Sequence, residues 1–281
     1  MVFSCKIRLM KNKIIIYCFA LKYFRLLDRL PKHIIPLGLG SKKFPQNWLD
    51  EKEGKNISNL NKYYGEATGI YWIWKNKMHE FTSEDWIGTC HYRKFWLDHC
   101  YENKQKTTFS SLYSKLLKPD NEIFLKSDAI QVQPIFFKNQ TILEQFENVC
   151  GKNIIKECAE FLDPKIKNEF LEYLNNKKFS ITFFIAKKRI FEEYCKVLFP
   201  WMEKCYDYCN SKNLLKGYNS RLPAFLMERF ASFWVDKKVY KKSYLSYSRL
   251  GKLMLSNSIN KIINPMKMPF TFRMYPTFHD Y

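Results

Sequence analysis

Residues 56–95, NISNLNKYYGEATGIYWIWKNKMHEFTSEDWIGTCHYRKF, set the organisation of the chain. The segment 61–76 has the length of a helix, and apolar side chains fall on both of its sides. This pattern predicts a helix that is buried nearly all round. Glu66 lies inside the segment. A buried carboxylate costs several kcal/mol unless it is paired or hydrogen-bonded, so Glu66 is expected to have a specific partner.

A buried strand is predicted directly after this helix. Residues 86–90, WIGTC, are short, apolar and partly β-branched, and they are followed by the polar and cationic stretch HYRKF at 91–95. Open α/β sheets place ligand chemistry at the carboxyl ends of their strands. Cations delivered there suit a phosphate or a diphosphate.

Several spaced blocks carry a family resemblance. NIS at 56–58, YGEAT at 64–68, YWIWKN at 71–76 and HYRKF at 91–95 resemble the blocks NIS, Y-x-E-x-T-x-x-Y-W-x-W-K-N and HYRRYF of the DUF4422 family. That family comprises bacterial capsular-polysaccharide glycosyltransferase-like proteins. Lys94 replaces the second arginine of the last block, and a tryptophan follows its phenylalanine. The resemblance extends over about residues 13–240.

Strands that alternate with helical segments predict an α/β sheet. The resemblance implies the GT-A type, a Rossmann-like sheet that binds a nucleotide sugar and is flanked by helices. Strands are expected at 13–18, 33–38, 86–90, 129–135 and 179–186. Helices are expected at 61–76, at 188–210, at 221–234 and within 139–176. This GT-A-like domain would span residues 1–242, and a basic, aromatic tail would follow at 243–281.

The composition of the chain indicates which kinds of partner it is expected to bind. The chain has 47 basic and 27 acidic residues, a net charge of +20, which favours a polyanionic partner or an anionic membrane surface. Heavy use of Lys, Asn and Ile is equally explained by an AT-rich genome. The nine cysteines are scattered without a C-x-x-C pair. They are typical of reduced core residues in a cytosolic protein.

The hydropathy of the chain indicates where in the cell the protein is expected to work. No apolar run reaches the ~20 residues that a bilayer-spanning helix needs. Basic residues precede an apolar run at 14–21, an order that a signal peptide also shows, but a small-residue cleavage site is missing and a first core strand explains the run better. We expect a cytoplasmic protein, peripheral at the inner face of the cytoplasmic membrane, with its basic tail against anionic lipid.

The resemblance implies a donor site at the HYRK block. Many GT-A enzymes hold a divalent metal against the diphosphate with an Asp-x-Asp motif, and this chain contains no such motif. His91, Tyr92, Arg93 and Lys94 occupy the equivalent place. Because two cations can neutralise a diphosphate without metal, metal-independent transfer is expected.

A metal-dependent alternative stays open. His91 together with Asp98 or Asp128 would hold a divalent ion, Mn²⁺ or Mg²⁺. Loss of activity on chelation would favour that arrangement.

Further donor-binding candidates lie around the predicted helix. Asn56, Ser58 and Asn61 precede it, and they either bind donor hydroxyls or cap the helix. Glu66 either contacts the sugar or ribose or anchors Arg93 through a salt bridge. The tyrosine and tryptophans of 71–74 are expected in the core rather than as sugar platforms.

A general base requires a carboxylate near the acceptor hydroxyl. Glu228 lies in the apolar segment 221–230, RLPAFLMERF, which resembles a later family block that ends in Glu-Arg. Arg221, Glu228 and Arg229 are expected on one side of a helix, where the arginines would bind the donor. A Glu–Arg pair that holds the helix is the alternative. Asp128 is the second candidate base.

The leading functional prediction is a glycosyltransferase of hexosyl or furanosyl type. It would move a sugar from a nucleotide-sugar donor to a lipid-linked or oligosaccharide acceptor of a capsular or lipo-oligosaccharide polysaccharide. A basic nucleic-acid-binding protein is an alternative, although the aromatics fall at buried helical spacing and no nucleic-acid motif is present. An inactive scaffold of a capsule-assembly complex is the other.

Overall fold

The computed structural model describes residues 12–100, 105–107, 109–181, 183–250 and 272–275. Its first strand, Ile14–Ala20 (β1), is apolar and almost wholly buried. Ile34–Gly38 (β2) pairs parallel to one side of β1, and Leu49–Asp50 (β3) extends that side. Trp86–His91 (β4) pairs parallel to the other side. Burial on both faces explains why these strands are continuous apolar runs.

The same sheet continues beyond β4. Its further strands are Lys94–Trp96 (β5), Gln105–Thr107 (β6), Ala129–Val132 (β7), Phe184–Lys187 (β10), Lys242–Leu245 (β11), Tyr247–Leu250 (β12) and Phe272–Tyr275 (β13). The order is β11-β7-β10-β4-β5-β12-β13-β6, with β1, β2 and β3 branching from β4. β10 and β5 run antiparallel to β4, so the sheet is mixed.

Two predicted strands are divided. The segment 129–135 forms β7 and then Ile135–Phe136 (β8), because Pro134 cannot donate to a central ladder. The segment 179–186 supplies Lys178–Phe179 (β9), which pairs with β8 in a separate two-stranded sheet, and then β10. The strands predicted at 13–18, 33–38 and 86–90 are confirmed, with two further residues on β1 and one on β4.

Helices flank the sheet. They are Asn61–Tyr64 (α1), Ala67–Asn76 (α2), Phe109–Ser114 (α3), Ile123–Lys126 (α4), Ile142–Cys150 (α5), Ile154–Ala159 (α6), Pro164–Leu174 (α7), Lys188–Ser211 (α8) and Leu222–Lys238 (α9). α2, α8 and α9 share one large apolar core with the sheet. The α/β fold predicted from the alternation of elements, a sheet flanked by helices, is therefore confirmed.

The helix predicted over 61–76 is broken at Gly65. This residue has φ 54° and ψ −127°, a backbone conformation that is essentially restricted to glycine. The chain therefore turns between α1 and α2, and Glu66 lies at the N-cap of α2 instead of inside a helix. α2 itself is buried as predicted, with Trp72 and Ile73 in the core.

The start of the predicted tail belongs to the sheet. β11 pairs parallel with β7, and β12 pairs antiparallel with β5. Most of the remaining tail lies outside the described residues. No helix within the described part of the chain combines the length and apolar character needed to cross a bilayer. The cysteines described are free thiols, and all of them except Cys100 are buried.

Candidate functional site

The HYRK block lies at the carboxyl edge of the parallel strands, as predicted. His91 ends β4 opposite Phe19 of β1, and the chain then turns into β5. The Nε1–H of Trp96 donates to the carbonyl oxygen of Thr89 at 2.8 Å, which ties β5 back to β4. This short hairpin fixes the cationic block at the edge of the sheet.

Glu66 and His91 face each other across this edge. His91 Nε2 lies 3.4 Å from Glu66 Oε1. The backbone N–H of Arg93 donates to His91 Nδ1 at 3.3 Å. Since Nδ1 accepts, the proton of the neutral imidazole lies on Nε2, the ring atom nearer to Glu66. Glu66 thus has His91 as a close neighbour, and the alternative in which it forms a salt bridge with Arg93 is wrong.

Positive charge surrounds the imidazole. Burial lowers the pKa of His91 well below its usual range. The charges of four cations lower it further: Arg93, Lys94, Arg221 and Arg249. The ring of Tyr92 lies 4.3 Å from that of His91, centroid to centroid. A neutral histidine thus lies within a cationic cluster, with its Nε2 atom beside Glu66.

Glu66 is the carboxylate nearest to this cluster. Burial raises its pKa, the charge of Lys94 lowers it, and the charge of Glu228 raises it again. Its side chain keeps 29% of its surface exposed. Glu66 is therefore a carboxylate of raised pKa that remains open to a ligand.

Arg221 and Glu228 reach the cluster from α9. Arg221 is the N-cap of that helix, and one of its guanidinium nitrogens lies 2.7 Å from where a Cβ of residue 65 would be. Gly65 therefore makes room for Arg221 beside Glu66. Two helical turns later, Glu228 keeps 37% of its side chain exposed and raises the pKa of Glu66. The predicted grouping of Arg221 with Glu228 is thus present.

Arg229 is directed into the core. It pairs with Glu228 at 2.9 Å and donates to Gln145 and to the carbonyl oxygen of Phe225. Its guanidinium also lies over the rings of two phenylalanines, Phe146 and Phe179. Only 8% of the side chain is exposed. These contacts give Arg229 a packing role beside Glu228.

Asn56, Ser58 and Asn61 form local networks. Asn56 accepts from the Ser58 hydroxyl at 2.8 Å and pins the loop before α1. The expected cap by Ser58 is wrong, because no side chain caps α1 or the short 3₁₀ turn before it. Asn61 donates to the carbonyl oxygen of Gly65 at 3.1 Å and to Thr68 Oγ1 at 2.9 Å. Asn61 thereby holds the α1–α2 turn that presents Glu66.

Asp128 lies at the other edge of the sheet. Its carboxylate is 2.7 Å from Lys187 Nζ and 3.2 Å from a guanidinium nitrogen of Arg189. Lys187 is the partner of Trp86, the first residue of β4, whereas His91 is the last. The length of β4 therefore separates Asp128 from the cluster. Within the described ranges, no group of three or more His, Cys, Asp or Glu residues is arranged to hold a metal.

Arg249 was missed from the sequence. It lies on β12, directly opposite Lys94 of β5. Burial lowers the pKa of both His91 and Lys94, and the charge of Arg249 adds to the lowering. The alternation in Tyr247-Ser248-Arg249 is a weak strand signal that could have found it. The segment was instead assigned to the basic tail. The β5–β12 pairing is what brings it to the site.

Comparisons with known proteins agree with this fold. No curated protein matches the sequence. Among solved structures, the chain is similar to the apo structure of the bifunctional glycosyltransferase WbbM, with a TM-score of 0.63 and 18% identity. The similarity covers 84% of this chain and 45% of that one, so the chain spans less than half of the WbbM structure. The fold of this chain is therefore one that a glycosyltransferase uses, consistent with the expected GT-A-like sheet.

A family-level match covers most of the chain. The domain of unknown function DUF4422 matches residues 15–239, from β1 to just beyond the end of α9. The match includes Glu66, the HYRK block and Glu228, and it ends before Arg249. The chain belongs to the DUF4422 family.

Proposed function

We propose that this chain is a glycosyltransferase that moves a sugar from a nucleotide-sugar donor to the acceptor of a surface polysaccharide, capsular or lipo-oligosaccharide. The observation that carries the proposal is the cationic cluster at the carboxyl edge of β4, beside a carboxylate of raised pKa. Open α/β sheets bind their ligands at such an edge. The fold shared with WbbM, a glycosyltransferase, supports the same reading.

The cluster would hold the diphosphate of the donor. Arg93 and Lys94 follow directly on β4, and Arg221 joins them from α9. Negative charge develops on the diphosphate as the sugar departs. Cations that are already in place stabilise that charge without reorganising. Metal-independent transfer follows from this arrangement as part of the proposal.

The carboxylates would act on hydroxyl groups. Glu66, which lies 3.4 Å from His91 Nε2, would accept a hydrogen bond from the donor sugar or ribose. Glu228 is the proposed general base for the acceptor hydroxyl, because it is the partly exposed carboxylate of α9 that faces the same cluster. Asp128 takes no part, since it lies at the far edge of the sheet between two cations.

The acceptor is proposed to be lipid-linked or an oligosaccharide, and the chain to work at the inner face of the cytoplasmic membrane. The net charge of +20 supports contact with anionic lipid. Vesicles with and without an anionic phospholipid, sedimented with the protein at low and at moderate salt, would measure that contact.

Thermal unfolding with a panel of nucleotide sugars tests the proposal. A matching donor, present well above its Kd, should raise the melting temperature of the full chain by about 2–4 °C for each kcal/mol that it adds to the free energy of unfolding. Arg93→Ala should abolish the rise. Arg189→Ala, which removes an arginine at the opposite edge, should preserve it.

Other outcomes would point elsewhere. Stabilisation by single-stranded oligonucleotides but by no nucleotide sugar would favour the nucleic-acid-binding alternative. If neither class of ligand changes the melting temperature, the inactive scaffold becomes the better account.

A further inference from the structure

Two like charges lie directly opposite each other beside the site. Lys94 of β5 and Arg249 of β12 are Cα partners in the antiparallel register. Directly opposed residues of antiparallel strands interact, and a like-charged pair destabilises the pairing of the strands. An unfavourable pair in the middle of a sheet indicates that something else compensates for it.

Among the described residues, the cations of this cluster also form no close ion pairs, although the charges of Glu66 and Glu228 act on Lys94. In the described part of the chain, no carboxylate lies within ion-pair distance of Arg93, Lys94, Arg221 or Arg249. Several other cations of the described residues are paired: Lys187 and Arg189 contact Asp128, and Arg229 contacts Glu228. The cluster thus carries positive charge that its own ion pairs do not neutralise.

A charge balance indicates what would neutralise the cluster. Four cations, Arg93, Lys94, Arg221 and Arg249, stand against two carboxylates when both are ionised, Glu66 and Glu228. These six groups sum to +2, and Lys22 is a further cation nearby, since burial and the charges of Lys42 and Arg93 lower its pKa. The diphosphate of a nucleoside diphosphate sugar carries two negative charges, whereas a nucleoside monophosphate sugar carries one, so the diphosphate offsets more of this positive charge.

The surroundings of Lys94 fit an anion subsite. Its ammonium lies 5.8 Å from the ring centroid of Phe183 and 6.0 Å from that of Tyr247. Aromatic walls on a half-buried ammonium reduce its contact with water and thereby strengthen its attraction for an anion.

We propose that Arg249 is a donor-binding residue that forms, with Lys94, a second phosphate subsite for the diphosphate of the donor. The inference rests on the proposed function. It adds a binding residue from β12, which lies beyond the region 15–239 that the family match covers. In this arrangement Arg93 and Arg221 would hold one phosphate, and Lys94 and Arg249 the other.

Inorganic pyrophosphate is a suitable probe because it carries the diphosphate without a base or a sugar. Calorimetric titration of the full chain in a buffer with chelator should show tighter binding of pyrophosphate than of inorganic phosphate. Arg249→Ala should weaken pyrophosphate binding about tenfold, as expected for the loss of a charge-assisted contact. Arg249→Lys should recover part of the affinity, and Arg189→Ala should change it less than about twofold.

The outcomes separate this inference from the proposed function. If Arg249→Ala binds pyrophosphate as the wild type does while Arg93→Ala does not, Arg249 is no donor residue and the proposed function stands. If no nucleotide sugar stabilises the wild type, the proposed function itself fails. A melting temperature of Arg249→Ala no lower than that of the wild type excludes misfolding as the cause of its weaker binding.

Discussion

His91 Nε2 lies 3.4 Å from Glu66 Oε1, while the Nδ1 atom of the same ring accepts the backbone N–H of Arg93. This contact joins the last residue of β4 to the N-cap of α2. It places a neutral imidazole and a carboxylate of raised pKa in one cationic cluster. Folding thus lowers the pKa of His91 and raises that of Glu66, and such shifts are common at functional sites.

The lowered pKa of His91 predicts an acid-sensitive fold. The unfolded chain protonates this histidine near its usual value of about 6.5, whereas the folded chain resists protonation. The unfolded state thus binds more protons below that pH, and the free energy of unfolding falls as the pH decreases through it. Urea unfolding at several pH values between 7.5 and 5.5 should show a smaller decrease for His91→Gln than for the wild type.

The groups that face His91 set the size of this effect. They are Glu66, Arg93, Lys94, Arg221 and Arg249. His79→Gln, at a histidine in the 3₁₀ turn after α2, is the control and should follow the wild type. An unchanged pH dependence in His91→Gln would contradict the prediction.

Glu66→Gln should stabilise the fold and reduce activity. Because the pKa of Glu66 is raised, the folded chain holds more protons than the unfolded chain at pH values above the usual range of a glutamate, about 4.3. Its stability therefore falls as the pH rises through that window, and a neutral glutamine removes the loss. Urea unfolding at pH 7.5 should give a larger free energy of unfolding for Glu66→Gln than for the wild type.

A matched control is Glu203→Gln, at an exposed glutamate of α8. Its free energy of unfolding should not change measurably. Equal or lower stability of Glu66→Gln would show that the His91 contact outweighs the burial of the carboxylate.

Glu228→Gln should lower the turnover number by about 10²–10⁴-fold, the usual contribution of a general base. Nucleotide-sugar binding and the melting temperature should be retained, because the amide keeps the shape of the side chain. Steady-state kinetics with the donor found by thermal screening would measure the loss.

The neighbouring arginine supplies the contrast. Arg229→Met should lower the free energy of unfolding by about 1–3 kcal/mol, since it removes contacts of a buried charged group with Glu228 and Gln145. Donor affinity should stay close to that of the wild type. A large loss of stability in Glu228→Gln instead would favour the alternative in which the pair only holds the helix.

Gly65→Ala should weaken donor binding. A Cβ at this position would lie 2.7 Å from the Arg221 guanidinium and would displace it. Backbone strain at φ 54° should cost a further ~1–3 kcal/mol of stability. Gly217→Ala is a close control, because Gly217 has φ 55° but no atom within 4 Å of the added Cβ.

Both variants should lose stability, and Gly65→Ala alone should lose affinity for the donor. Equal affinity in the two variants would mean that the place of Arg221 beside Gly65 does not matter for binding.

Chelation should leave turnover intact. The cations of the cluster supply the charge stabilisation that a divalent ion provides in other glycosyltransferases. His91 lies at the end of β4, whereas Asp128 lies beside Lys187 near its start. These two residues are therefore too far apart to bind one metal ion. Complete loss of turnover in EDTA, with recovery on addition of Mn²⁺, would contradict the prediction.

The positions of helices and strands can be predicted from the sequence better than the pairing of the strands in the sheet. Residues 86–90 read as a buried strand because their apolar run is local, and the cationic block after them fixes the edge of the sheet. The helix predicted over 61–76 runs through Gly65, because the approach of Arg221, which leaves no room for a Cβ there, is visible only in the structure. Arg249 reaches the site through the β5–β12 register, a long-range relation that no local pattern encodes.

Asp128 shows the opposite error. Its position before a predicted strand made it a candidate base, but the antiparallel insertion of β10 between β4 and β7 sets it among Lys187 and Arg189. A carboxylate at the start of a strand lies at the wrong edge for this chemistry.

The position of β11 and β12 has a practical consequence for expression. A fragment that ends at residue 239, where the family match ends, would lack β11, which pairs with β7, and β12, which pairs with β5. The freed backbone amides and carbonyls of β7 and β5 would be ready templates for pairing with other molecules, and such a fragment should precipitate. The folding unit is thus longer than the segment by which its relatives are recognised, and cloning should extend at least through Leu250.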